Sequence, residues 1–290
     1  MSKIITEILK RKLESFALYS GLDAETRRNT LKEELQFYVL NFIYHHSEYK
    51  RWVMYGGSSL RIIHELDRMS VDLDFEIPQV ITNTFLEKLK KDIEDHFIIT
   101  YGADFDFLMT KITTGRGLLL KFTLGKELSL GHPSLQVHIK IDLNHFVTSK
   151  IVTERIPINR SQLSFVIVTY NMATLMASKL AAIFLRGTRG VGKDFYEEKG
   201  RDWYDLLWYM GKKIVPDFKY LIAKDITIKD SSTLFNRLTT KMNKVSDKNL
   251  EQDLYPLFIN KTYIKNWLEN WRESYRRLVD DYEIRTKKTK

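Results

Sequence analysis

The stretch Ser70-Val71-Asp72-Leu73-Asp74-Phe75-Glu76-Ile77 alternates without a break, with Val71, Leu73, Phe75 and Ile77 on one side and Asp72, Asp74 and Glu76 on the other. Successive side chains of a strand point to opposite faces, so this is a strand with one face in a core, and Pro78 stops it. Just upstream, the short apolar run Trp52 to Tyr55 enters Gly56-Gly57-Ser58-Ser59, after which Leu60, Ile63 and Leu66 recur at helical spacing. That order is strand, glycine turn, helix. Downstream, Leu135, Val137, Ile139, Ile141 and Leu143 alternate with Gln136, His138, Lys140 and Asp142, which puts Asp142 on the polar face of another strand.

Working outward, Phe85, Leu89, Ile93 and Phe97 at i, i+4 spacing predict a helix over 82–97, and Gly115-Arg116-Gly117 marks the turn of a hairpin. The N-terminal segment is helical. Ile4, Ile5, Ile8 and Leu9 form one stripe, and Leu31, Leu35, Tyr38, Val39, Phe42 and Ile43 form a second behind a cap at Asp23. After Asn171, a further cap, the character becomes mostly helical, with Lys179 and Arg186 on the first helix. The expected fold is α+β: a mixed sheet with flanking helices over 1–165, then a mostly helical domain over 166–290. The basic end Arg285-Thr286-Lys287-Lys288-Thr289-Lys290 is expected to be disordered, within reach of phosphates.

Composition narrows the chemistry. A chain of 290 residues, 43% hydrophobic and 29% charged, can bury a sizeable core. With Cys 0, disulfides, thiolate zinc sites and thiol nucleophiles are excluded, which fits a reducing compartment. The longest apolar run, Leu180 to Leu185, is far too short to span a membrane, and the first residues lack a signal-peptide pattern, so a cytoplasmic protein without membrane contact is expected. The net charge of +9 favours a polyanionic partner such as RNA, DNA or nucleotides.

Asp72 and Asp74 project to the same side of one strand, an unfavourable arrangement unless a cation sits between them. Mg²⁺ prefers hard oxygen ligands and binds through a few carboxylates plus substrate phosphates, and Asp142 on a neighbouring polar face completes such a set. An ordinary solvated strand face is the alternative for an isolated D-x-D. Gly56-Gly57-Ser58 opens a helix beside it, where free N–H groups and the helix dipole favour a phosphate; a plain tight turn is the other reading.

These residues resemble a known family. Gly56-Gly57-Ser58, thirteen residues, then Asp72-Leu73-Asp74 is similar to the G-S-x(n)-D-x-D signature of the DNA polymerase β-like nucleotidyltransferase superfamily. Tyr55 to Arg61 with Arg68-x-Ser70-x-Asp72-Leu73-Asp74-Phe75 resembles more closely the AbiEii/MenT branch, toxins of type IV abortive-infection systems. Lys179-Leu180-x-Ala182 and Arg201-Asp202-x-x-Asp205-Leu206 add to that likeness, which spans residues 55 to 206.

The resemblance implies a polymerase β-like core in which Asp72 and Asp74 hold two Mg²⁺ ions, or Mn²⁺, with Asp142 as third carboxylate. It implies that Ser58 and the Gly56-Gly57 backbone grip the phosphates of an NTP. Lys179 would contact the triphosphate or the leaving pyrophosphate, Asp202 would orient it or join the active site, and Arg186, one heptad on, would reach the same side. Ser178 departs from the family, which often has an acidic residue there. The implied activity is transfer of a nucleoside monophosphate to a hydroxyl by a toxin of a toxin–antitoxin or phage-defence system. The basic balance favours an RNA acceptor, above all a tRNA 3′ end. A protein hydroxyl is the second acceptor, and a non-catalytic nucleic-acid-binding module the reading from another class. The partners expected are tRNA, NTP and a cognate antitoxin. Ser70, two residues before Asp72, is a candidate regulatory site, since a phosphate there would add about −1.5 to −2 charge beside the triphosphate.

Other motifs point elsewhere. Gly187 to Lys193 fits G-x-x-x-x-G-K, but Asp194 stands where a P-loop needs Ser or Thr and a helix precedes it in place of a strand, so a mobile basic loop is expected instead. No histidine pair has zinc spacing, and the stripe Ile264, Trp267, Trp271, Tyr275 and Leu278, like the cluster Trp203, Tyr204, Trp208 and Tyr209, is expected in a core.

Overall fold

The computed structural model describes residues 2–16, 22–124, 128, 135–147, 152–187, 198–228 and 230–288. Two compact units divide the chain: Met1–Phe146 with Thr153–Thr169, and Val147–Val152 with Tyr170–Lys290. The chain therefore passes from one unit to the other three times.

The first unit begins with α1 (Lys3–Glu14) and α2 (Ala24–His45), the latter capped as expected by Asp23, whose carboxylate accepts from Thr26 N at 2.8 Å. Then follow β1 (Val53–Tyr55), α3 (Gly56–His64), β2 (Asp72–Ile77) and α4 (Asn83–Tyr101). Strands β3 (Leu108–Thr113), β4 (Gly117–Thr123), β5 (Gln136–His145), β6 (Thr153–Arg160) and β7 (Leu163–Tyr170) complete one seven-stranded sheet, in the order β3-β4-β5-β2-β1-β7-β6. The sheet is mixed, as expected. Strands β3–β4, β4–β5 and β1–β2 pair antiparallel, whereas β2–β5 and β1–β7 pair parallel.

Alternation along the central strands does what it predicts. Leu73 and Phe75 of β2 and Val137, Ile139, Ile141 and Leu143 of β5 are fully buried, along with Leu118, Leu120 and Phe122 of β4. Helix α4 covers this apolar face with Leu86, Leu89, Ile93 and Phe97, and the Phe97 ring lies 5.4 Å from that of Phe122. Burying each such side chain stabilises the fold by roughly 1.5–3 kcal/mol. Thr82 caps α4 through Phe85 N at 3.1 Å, and Gly102, at φ +59°, closes it in the left-handed conformation. The opposite face carries Asp72, Asp74 and Asp142, which are half-buried, and Glu76, which is buried.

The second unit is helical: α5 (Met172–Leu185), α6 (Gly200–Gly211), α7 (Phe218–Ala223), α8 (Ser231–Met242), α9 (Asp247–Leu254) and α10 (Lys261–Lys288). Asn171 caps α5 through Thr174 N at 3.0 Å. Trp203, Tyr204 and Tyr209 of α6 and Ile264, Trp271 and Tyr275 of α10 are buried in the core, whereas Trp208, Trp267 and Leu278 of the same stripes are half-exposed. Two differences from the sequence reading appear. The β6–β7 hairpin, turning at Ser161-Gln162, lies in a stretch without clean alternation. The basic end expected to be disordered instead continues α10 through Lys288. Most of the string Gly187 to Lys193, with its expected loop, lies outside the described residues.

Candidate active site

Tyr55 ends β1 and Gly56 starts α3 at φ +77°, a conformation that glycine adopts without strain. A Cβ on Gly56 would lie 2.7 Å from Asp74 Oδ2, and one on Gly57 would lie 2.7 Å from Arg68 Nη2 and 2.8 Å from Ser70 Oγ. Both glycines are therefore required by close approach, and the first turn of α3, whose N–H groups have no partner within the helix, opens beside the Asp74 carboxylate. Ser58 and Ser70 are buried; the Ser58 hydroxyl donates to the Asp72 carbonyl and lies 3.0 Å from Ser70 Oγ. Its hydroxyl thus ties α3 to the start of β2, which leaves the backbone of this turn as the donor toward an anion. Ser59 Oγ meets Thr169 Oγ1 at 2.7 Å, and Thr169 Oγ1 donates to the Met54 carbonyl, fastening α3 to β7 and β1. Ser70 precedes β2 instead of lying within it, and its N–H donates to Glu33 Oε1 at 3.1 Å. Glu33 in turn holds Arg61 of α3 at 2.8 Å.

The pairing register places the acids. Asp74 is opposite Asp142 across the parallel pair β2–β5, Asp72 is opposite Lys140, and Tyr55 is opposite Asp74. Asp72, Asp74 and Asp142 thus share one sheet face on adjacent strands, which lie about 4.8 Å apart. All three are half-buried. Lys140 Nζ donates to Asp142 Oδ2 at 2.7 Å, supplying part of the positive charge that such a group of carboxylates needs. Among the described residues no three His, Asp or Glu side chains are gathered so as to hold a metal ion as they stand. The donor chemistry nonetheless suits a hard divalent cation, with Asp72 and Asp74 as its oxygen ligands and Asp142 engaged by Lys140. Sequence reasoning put Lys140 on this polar face and missed that it answers Asp142; the signal was its i, i+2 spacing.

In the helical unit, Lys179 of α5 lies between Asp202 Oδ1 at 2.9 Å and Asp205 Oδ2 at 2.8 Å on α6. The side chain of Lys179 is 11% exposed, and those of Asp202 and Asp205 5% and 0%. Arg186 Nη2 pairs with the second oxygen of Asp202. Burial pushes the Asp202 carboxyl up, but Lys179 and Arg186, the Lys179 hydrogen bond and Lys199 outweigh it and hold the carboxyl well below the usual range. Lys199 itself falls to about 8, by burial first and then by Arg201, against the opposing pull of Asp202. Asp202 and Asp205 are therefore buried partners of Lys179 and not surface residues. Asp205, read only as part of a motif, is the second carboxylate on Lys179.

Residues 40–285 match the model of a protein family described as the nucleotidyl transferase AbiEii toxin of type IV toxin–antitoxin systems. The chain belongs to the AbiEii family. Membership makes it a nucleotidyltransferase toxin and implies an NTP substrate and a cognate antitoxin. Solved structures similar to this AbiEii-family chain include JHP933 from Helicobacter pylori, at 15% identity and a TM-score of 0.38, covering 84% of this chain and 95% of that one. An antigenic nucleotidyltransferase-like protein from Paracoccidioides brasiliensis is similar at 14% identity and a TM-score of 0.37, covering 83% of this chain and 99% of that one. No curated protein matches. Among the described residues no helix is long and apolar enough to cross a membrane.

Proposed function

We propose that this AbiEii-family toxin transfers a nucleoside monophosphate from an NTP to a hydroxyl of RNA, a tRNA 3′ end, in the cytoplasm as part of phage defence. The observation that carries the reading is the register bringing Asp72, Asp74 and Asp142 to one sheet face beside the Gly56–Gly57 turn. The acceptor oxygen attacks the α-phosphorus, its bond to the bridging oxygen breaks, pyrophosphate leaves with that electron pair, and the hydroxyl proton passes to a carboxylate of the site. Mg²⁺, or Mn²⁺, at Asp72 and Asp74 supplies charge neutralisation and a more acidic acceptor hydroxyl when bound. The backbone N–H groups opening α3 bind triphosphate oxygens. By resemblance Lys179, Arg186 and Asp202 take part in the reaction, and within their own unit Asp202 and Asp205 fix the direction of the Lys179 ammonium. The net charge of +9 supports a polyanionic acceptor.

Regulation belongs at Ser70. A phosphate on its hydroxyl would break the contact with Ser58 and place negative charge at the start of β2. Because Ser70 is only 4% exposed, the Ser58–Ser70 contact must open first.

Incubation with each α-labelled NTP, tRNA and total protein tests the proposal. Label migrating with tRNA, and lost in D74N, is the expected result; label on protein alone overturns the acceptor, and full transfer by D74N overturns the site.

A further inference from the structure

The polar sheet face does not end at the acids. Three rows of directly opposed residues cross it. One runs Thr113, Gly117, Asp142, Asp74; the next Lys111, Leu119, Lys140, Asp72; the third Met109, Lys121, His138. Directly opposed residues point to the same side, so all three rows share the face that carries Asp72, Asp74 and Asp142. The outer strand β3 leaves Lys111 and Met109 exposed, and Lys121, Leu119 and His138 are half-exposed. Positive charge accumulates here: burial first, then Arg28, Lys121 and Lys32 push His138 below its ordinary range, so that at neutral pH it is an uncharged ring.

The row leading to Asp142 is closed: Gly117 and the Thr113 hydroxyl are both buried. Gly117 faces Asp142, and a Cβ there would lie 2.0 Å from the Ile141 carbonyl oxygen, so no other residue fits. The open part of the face is the other two rows, a track on which Lys111 and Lys121 stand beside Met109, Leu119 and His138 and which runs to Lys140 and Asp72. A single strand fits such a surface: lysines meet its phosphates, while Met109, Leu119 and the neutral His138 ring offer apolar contact to bases.

We infer that the acceptor RNA lies across β3 and β4 on this face, with Lys111 and Lys121 holding its phosphates and its terminal hydroxyl arriving along the Lys140–Asp72 row beside the acids. This rests on the reading that the acceptor is RNA.

Steady-state transfer of label to tRNA by the full chain tests it, comparing wild type, K111E/K121E, and K90E/K91E, which makes the same change in net charge on α4. The expected result is a KM for tRNA at least tenfold higher in K111E/K121E, with KM for NTP unchanged and kcat within about threefold, and K90E/K91E close to wild type. Loss of two phosphate contacts should also lower the salt slope of tRNA binding by about two. A tRNA KM within twofold of wild type, or an equal rise in K90E/K91E, overturns the track while leaving the RNA acceptor standing. Absence of labelled tRNA with the wild type overturns the acceptor reading and the track together. If K111E/K121E melts early, the milder K111Q/K121Q decides the matter, with a rise of about threefold expected.

Discussion

Replacing Lys179 with methionine probes the buried charges of the helical unit most directly. The substitution keeps much of the side-chain volume and removes the ammonium that lies 2.9 Å from Asp202 and 2.8 Å from Asp205. Asp202 retains Arg186, whereas Asp205, with no exposed surface, loses a charge partner at 2.8 Å. Breaking a buried pair by deleting one partner costs about 3–5 kcal/mol. At roughly 2–4 °C per kcal/mol for domains of this order, the melting transition at pH 7 should fall by about 6–20 °C. The pH dependence has a fixed sign. The carboxyl of Asp202 is depressed in the folded state, so its contribution is fully present above the ordinary carboxyl range near 4 and is lost as pH falls through the folded value. The gap between wild type and K179M, followed by circular dichroism at 222 nm, should therefore be widest above about pH 5 and narrow on acidification. Adding D205N to K179M should recover part of the loss, with a coupling of at least about 1 kcal/mol. A K179M transition within 2 °C of wild type at pH 7, or a gap that widens in acid, would refute the reasoning.

Further outcomes follow from the sheet site. D72N and D74N should each reduce label transfer by about 10²–10⁴ while leaving the melting temperature unchanged or raised, because like charges on one strand face are relieved; chelation by EDTA should abolish transfer in the wild type. G56A should lose about 1–2 kcal/mol in urea unfolding from its φ of +77° and more than tenfold in activity, because the new Cβ meets Asp74 Oδ2. K140M should change stability by less than about 1 kcal/mol, since the pair is partly exposed, yet lower the Mg²⁺ concentration giving half-maximal activity; an unchanged midpoint would show that the ammonium does not compete. N171A should cost about 1 kcal/mol through the lost cap on α5.

Much of this architecture is written locally. Half-buried strands declare themselves by a period of two, so β2 and β5 and the sidedness of Asp72, Asp74 and Asp142 were legible, as were the caps at Asp23 and Asn171. Register is not a local property: that Asp74 faces Asp142, and Lys140 faces Asp72, depends on which strands pair and by what offset. Strand β6 escaped notice because its residues are only half-buried at best and Pro157 interrupts it, while β7 ends in the continuous apolar run Val166 to Val168. The burial of Asp205 was hidden for another reason. An acidic residue on a helix reads as solvent-facing until the neighbouring helix is known to bring Lys179 against it.

The three passages of the chain between its compact units have a practical consequence. No single cut yields two intact bodies: a fragment stopping at 165 would sever β7 and lose Thr169, which latches α3 to β1, while the remainder would forfeit the residues around Val152, whose carbonyl accepts from Asn171 N. Halves expressed from separate reading frames should therefore regain activity only when mixed, which makes this polypeptide a poor candidate for modular shuffling and a good one for complementation by fragments.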